Sequence, residues 1–179
     1  MVYDPKAIAN YFLKVAEEQG EPLTPMKLQK LVYYANGWHL AINDEPLINE
    51  QVEAWSYGPV VPSLYHEFRR FGDQAITEQA FDMVTESDDP WEMALVRLEP
   101  TIDDRPNHAD FARAFLDRIW ETYSGYSAIQ LSNETHRPGS PWDTVRKQYN
   151  GAIPKRTDIP SDLMKEYFRA LSRSKAKAQ

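Results

Sequence analysis

Between Thr24 and Ile42 apolar side chains recur at Leu28, Leu31, Val32, Ala35, Trp38 and Ile42, with His39 on the same stripe. The spacing is i, i+3, i+4, i+7, i+10, i+14, the period of an α-helix sustained over four turns. A stripe of that length must be covered by other elements, so the spacing predicts a helix over 24–41 at the centre of the core, with Leu31 among its most buried residues. Thr24 supplies the N-cap oxygen and Pro25 the first helical residue. Gly37 interrupts this helix at a cost of about 1 kcal/mol relative to alanine. A glycine kept there points to the close approach of a neighbouring backbone, or to a weak last turn.

The rest of the chain punctuates itself in the same way. Asp4-Pro5 opens a first helix with Ile8, Phe12 and Val15 on one face, and Gly20 closes it. Leu47 to Trp55 reads as a short strand with Ile48, Val52 and Ala54 inward. Ser56 to Pro62 holds Gly58-Pro59 and Pro62, a rigid corner that regular helix cannot cross. Leu64, Phe68 and Phe71 return to helical spacing before Gly72. Leu95 to Leu98 reads as a strand and Asp88-Asp89-Pro90 as a turn, together an edge hairpin. A helix is expected over Ala109–Tyr123 with Phe111, Phe115 and Ile119 on one face. Ser127 and Gln130 form a capping-box pattern. Ser140-Pro141 opens a further helix, and Pro160-Ser161 the last, with Leu163, Tyr167 and Leu171 inward. The expected fold is mainly α (α+β), a compact helical domain with a small β-hairpin or short antiparallel strands. One domain spans 1–179, ending in a short basic tail after about residue 172.

Composition narrows the function. No apolar run approaches the roughly 20 residues a membrane span needs, and the mixed residues from Met1 to Asn10 show no signal-peptide pattern. With no cysteine, the chain has no disulfides, thiolate metal sites or thiol nucleophiles. A cytoplasmic location fits both facts. The net charge of −7 argues against direct DNA binding, since duplex affinity rests largely on Lys and Arg neutralising phosphates. The stretch 78–104 alone holds nine acids against one base, Arg97, whereas 161–179 is locally basic.

Catalytic patterns are sparse. The four histidines, His39, His66, His108 and His136, form no i, i+3 or i, i+4 pair, so no metal site is expected. His39 lies on the apolar stripe and reads as a hydrogen-bonded core histidine. Phosphate-cradling glycine loops and nucleophile elbows are missing from the sequence, and no cofactor is implied. Ser132, Thr135 and Ser140 flank His136 and are the nearest approach to a nucleophile–base pair. The prominent feature is aromatic: Trp38, Trp55, Tyr57, Tyr65, Phe68, Phe71 and Trp142 gather around the Gly-Pro corner and the His136 loop. Phe68 and Trp38 read as core. Tyr57, Tyr65 and Trp142, beside prolines and glycines, fit either core or a binding groove, and Tyr, Trp and Arg are the residues that dominate binding hot spots. The candidate partner-binding set is Trp55, Tyr57, Pro59, Tyr65, Arg69, His136 and Trp142.

Three segments carry a family resemblance: KLQKLVYYANGWHL (27–40), EAWSYGPVVPSLYHEFRRFG (53–72) and THRPGSPW (135–142). In this order they resemble the Panacea antitoxin domain, the group of the SocA-like and phage-associated GepA-like antitoxins, and the match runs from about residue 5 to residue 170. The resemblance implies the antitoxin half of a toxin–antitoxin pair, with a cognate protein toxin as partner and neutralisation by direct contact. It also implies an alternative, an adaptor that delivers a toxin to a ClpXP-type protease. It brings no catalytic residues. Its recurrent motif positions fall on Trp55, Tyr57, Gly58, Pro59, His136 and Trp142. A hydrolytic enzyme built on His136 is the third reading. The acidic stretch lies outside the shared motifs and reads either as a solvated acidic loop or as a surface whose Glu86, Asp88, Asp89 and Glu92 steer a basic toxin toward it.

Overall fold

A computed structural model describes residues 2–85, 95–104 and 106–176; at 104, 106, 107, 175 and 176 the description is of the backbone alone. Helix α1 (Pro5–Gln19) starts where Asp4 accepts a hydrogen bond from Lys6 N and ends at Gly20. Helix α2 (Pro25–Asn43) is capped by Thr24 and buries twelve residues, Leu31 among them at 0% exposure. It packs most extensively against the last helix, α7 (Ser161–Ala176), and also against α1, α4 (Pro106–Tyr123) and α5 (Ala128–Thr135). The four-turn stripe is thus covered from several directions, as its length requires.

Strands β1 (Glu53–Trp55) and β2 (Gly58–Val60) form one antiparallel hairpin. Pro62 then occupies the first turn of α3 (Pro62–Phe68), which a 3-10 turn extends through Phe71. Strands β3 (Asp82–Thr85) and β4 (Leu95–Leu98) form a second antiparallel pair in register Asp82–Leu98 to Thr85–Leu95. Helix α5 carries the complete Ser127/Gln130 capping box. Helix α6 (Pro141–Gln148) is capped by Ser140, whose oxygen accepts from Asp143 N. Among the described residues the fold is therefore mainly α with two small hairpins.

Several faces differ from the sequence expectation. Ile42, last on the α2 stripe, is 64% exposed, because the stripe drifts off its neighbours at the helix end. The strand expected over 47–55 is confined to β1; Ile48 is buried by pairing instead with Tyr3 in an isolated bridge. On α4 Phe111 is 51% exposed, and the core face runs Ala109, Ala112, Leu116, Ile119, Trp120 and Tyr123. On α7 Met164 and Phe168 are buried, while Leu163, Tyr167 and Leu171 flank the core. Both α4 and α7 are rotated from the face that the largest aromatic and aliphatic residues suggested. Gly37 is explained by a ring rather than a backbone: a β-carbon there would lie 2.1 Å from Cε2 of Phe168. The glycine lets Phe168 sit flush on α2, edge-on to Tyr33, Tyr34 and Trp38.

The Asp88-Asp89-Pro90 turn and the acids Glu86, Asp88, Asp89 and Glu92 lie outside the described residues. Elsewhere in that stretch Glu78, Asp82, Glu99 and Asp103 each pair with a base, respectively Arg70, Lys6, Arg97 and Arg113.

Candidate functional site

The Gly-Pro corner is built by α2. Gln29 holds it through a two-way amide contact: its Nε2 donates to Val61 O at 2.9 Å, and Val61 N donates to its Oε1 at 3.0 Å. One residue on, Lys30 donates from Nζ to Pro59 O at 2.9 Å. Lys30 is only 3% exposed and makes no ion pair with any described residue. Burial alone pushes its ammonium down to about 8, since desolvation penalises the charged form and no carboxylate offsets it. Gly58, at φ +113°, is the residue that allows this contact. A β-carbon there would lie 2.9 Å from Lys30 Nζ and 3.1 Å from the His136 ring.

The His136 loop closes on the same corner from the other side. The ring Nδ1–H of His136 donates to Ser132 O at 2.6 Å, and its face meets Trp142 edge-on at 4.3 Å between centroids. Trp142 in turn donates from Nε1 to Trp55 O at 2.7 Å. Gly139 N donates to Asp143, which also pairs with Lys147; the Lys147 contact is the larger cause holding the Asp143 carboxyl below its ordinary range. Two of the three hydroxyls that flank His136 in sequence donate elsewhere: Thr135 to Ser132 O and Ser140 to Thr135 O. No group of three metal-ligating side chains occurs among the described residues.

Outside this buried frame lies a groove of about 970 Å³, bounded by the hairpin, the start of α3 and the segment 153–156. Ala54, Val60, Pro62, Ile153 and Pro154 give it apolar walls, with Trp55, Tyr57 and Tyr65 as its aromatic surface. Trp55 and Tyr65 meet edge to face at 4.7 Å, and Tyr57 is 88% exposed. The far wall is fastened to β1 by Ala54 N to Thr157 O, and to the residue before β1 by Ile159 N to Val52 O.

The seven residues singled out by sequence therefore separate into two layers. Tyr57 and Tyr65 are exposed and Trp55 half-buried, all three lining the groove. Pro59 and Trp142 are buried and His136 is partly buried; they hold the hairpin from behind. Arg69 is exposed but is not among the groove-lining residues. Trp38, counted with this aromatic group in the sequence, lies elsewhere, against Phe168 and hydrogen-bonded to the Tyr123 hydroxyl. Sequence reasoning missed Gln29, Lys30, Lys155 and Arg156. A lysine on an otherwise apolar helix segment was a visible signal for Lys30; nothing local marked the other three.

The family model "Antitoxin SocA-like, Panacea domain" matches residues 28–143. The chain belongs to this family. The matched span begins in α2 and ends in α6, so it encloses the hairpin together with Gln29, Lys30, His136 and Trp142. The antitoxin SocA of Caulobacter vibrioides (strain NA1000 / CB15N) is 30% identical over 166 residues, covering 93% of this chain and 82% of that protein. No solved structure matches. No helix among the described residues is long and apolar enough to cross a membrane.

Proposed function

We propose that this member of the SocA-like family is an antitoxin that neutralises a cognate protein toxin by direct, stoichiometric binding, and that the groove beside the Gly58-Pro59 hairpin is the contact surface. The observation carrying this reading is the layering of the motif residues. Lys30, Gln29, His136 and Trp142 fix the hairpin from behind, and this leaves Trp55, Tyr57 and Tyr65 displayed on a rigid frame. Trp55 and Tyr65, already packed edge to face, lose little conformational entropy on contact. Catalysis finds no comparable support, since the hydroxyls of Thr135 and Ser140 donate to backbone carbonyls rather than to the His136 imidazole. We place the protein in the cytoplasm and assign it no cofactor.

Co-expression with the neighbouring gene tests this directly. Growth arrest by that gene alone, relieved by this protein, is the expected result. Tyr57→Ala and Tyr65→Ala should each weaken relief while leaving the circular dichroism unchanged. Titration should saturate near equimolar amounts; one molecule inactivating many toxin molecules would establish an enzyme instead. Delivery to a ClpXP-type protease is the second mechanism the family suggests, and it predicts relief that vanishes in a host lacking that protease.

A further inference from the structure

The acidic balance of the whole chain is not carried into its groove. The whole molecule is acidic, at −7. Four ionised side chains line the groove: Glu50, Glu53, Lys155 and Arg156, with His66 beside them. The two carboxylates keep their charge, so the lining is formally neutral, but each is engaged by a hydrogen-bond donor. Glu50 Oε1 accepts from Ser63 N at 3.0 Å, at the start of α3, and Glu53 Oε2 accepts from Trp55 Nε1 at 2.7 Å. The two cations are not: Lys155 and Arg156 are exposed and make no hydrogen bond or ion pair with any described residue. They stand on a turn whose Arg156 has φ +59°, a left-handed conformation that a side chain with a β-carbon adopts only under strain. Thr157, the next residue, is locked by donating its hydroxyl to Pro154 O and by accepting Ala54 N from β1. The turn is thereby held with its two cations at the mouth of an apolar, aromatic groove.

We infer that the groove takes a partner segment that pairs aliphatic or aromatic side chains with an acidic group, its carboxylate meeting Lys155 and Arg156 while its apolar part lies on Trp55, Tyr57 and Tyr65. This deepens the antitoxin reading and rests on it for the partner's biological identity, though not for the chemistry. The volume suits such a segment: about 970 Å³ is at the upper end of the range for ligand sites. Single-stranded nucleic acid also combines stacking with cations. It is disfavoured here, because two cations on a molecule of charge −7 cannot supply the several phosphate contacts such binding needs. The acidic preference is opposite to the expectation that a basic toxin is drawn to residues 78–104. The steering surface and the groove then select different features of a partner.

Panning a phage-displayed library of random dodecapeptides on the full chain tests the assignment. Selected peptides should be enriched at least threefold in Asp and Glu together with Leu or aromatic residues. The most enriched peptide, made synthetically, should bind at least about tenfold more weakly to Tyr57→Ala. It should lose a similar factor on the double variant Lys155→Glu, Arg156→Glu, and panning on that variant should select Lys- and Arg-bearing peptides. All three substituted side chains are exposed, so folding is preserved, and an unchanged thermal midpoint checks this. Enrichment of basic peptides on the native chain, an unaltered selection on the charge-reversed variant, or no enrichment at all would overturn the inference. So would tighter binding of a twelve-nucleotide single-stranded RNA than of the best peptide. Growth rescue is scored separately. Peptide selection without rescue removes the antitoxin reading and keeps the groove chemistry, and rescue without acid-selective binding does the reverse.

Discussion

The two hairpins share a topology and differ in almost everything else. Both are two-stranded antiparallel ribbons, a structure that is at best marginally stable in water by itself. Each is pinned by one buried amide side chain. Gln29 reaches the first from α2 and bonds both polar groups of Val61. Asn10 reaches the base of the second from α1, donating to Ala80 O and Pro100 O at 3.0 Å and accepting from Ala80 N at 2.7 Å. Beyond those pins they diverge. The first hairpin is backed by Lys30, Trp142 and the 157–159 segment, and Ala54, Gly58 and Pro59 are buried. In the second, all four residues of β4 are exposed, Leu95 and Leu98 included. One strand pair is thus part of the core and the other only attached to it. Residues displayed on the first are positioned; those on the second are merely present.

The sharpest way to break this contrast is to remove the two pins in turn. Gln29→Ala leaves a buried N–H and a buried C=O unpaired, each costing about 1–3 kcal/mol, so global stability in a urea titration should fall by roughly 2–6 kcal/mol. Asn10→Ala strands a comparable set of groups, but an attached hairpin can lift away and hydrate them. Its main effect should appear as faster amide exchange over residues 80–85 and 95–99, with a global loss of only about 1 kcal/mol. Equal global losses would show that the second hairpin is core after all.

Next in size is the pH dependence of the first hairpin. Lys30 has a folded pKa lowered to about 8 from 10.5. Between those values the unfolded chain holds a proton that the folded chain has released, so stability rises with pH across that window and is flat below it. A shift of that size corresponds to about 3 kcal/mol at 1.36 kcal/mol per unit. Lys30→Met should abolish the rise in denaturant titrations between pH 8 and 10.5. A wild-type curve that falls steadily across this window would show that Lys30 is less buried than the structure places it.

The smallest effect is expected on the second hairpin. Leu98→Thr and Leu95→Thr replace exposed apolar residues by a good strand former, and stability should change within about 0.5 kcal/mol. A loss of 2 kcal/mol in dilute protein would mean that β4 is covered, for instance by a second copy of the chain.

How much of this was legible in the sequence depends on how local the cause was. Caps and stops declared themselves: Asp4-Pro5, Thr24-Pro25, the Ser127/Gln130 box and Ser140-Pro141 all begin helices where they stand, because an orphan N–H is satisfied by an oxygen within three residues. The centrality of α2 followed from its period alone. The face of a shorter helix did not: Phe111 and Leu163 had the right spacing, but the direction of burial on α4 and α7 is set by what lies opposite. The motif residues around Gly58 were equally visible, and the family resemblance they carried was correct.

Only the tertiary structure could sort those motif residues into a buried frame and a displayed surface. Trp142 and Tyr57 look alike as aromatic residues next to a proline or near a Gly-Pro pair, yet one is 6% and the other 88% exposed. The difference arises from contacts 87 residues apart, such as Trp142 Nε1 to Trp55 O, which no local pattern encodes. The same is true of Lys155 and Arg156, placed at the groove because Thr157 and Ile159 bond to β1 and to the residue before it from about 100 residues away. The sequence by itself determined where the elements begin and which helix is central, since those depend on neighbours along the chain. Which side chains are free to meet a partner was decided by long-range hydrogen bonds and packing, because exposure is a property of what the rest of the molecule leaves uncovered.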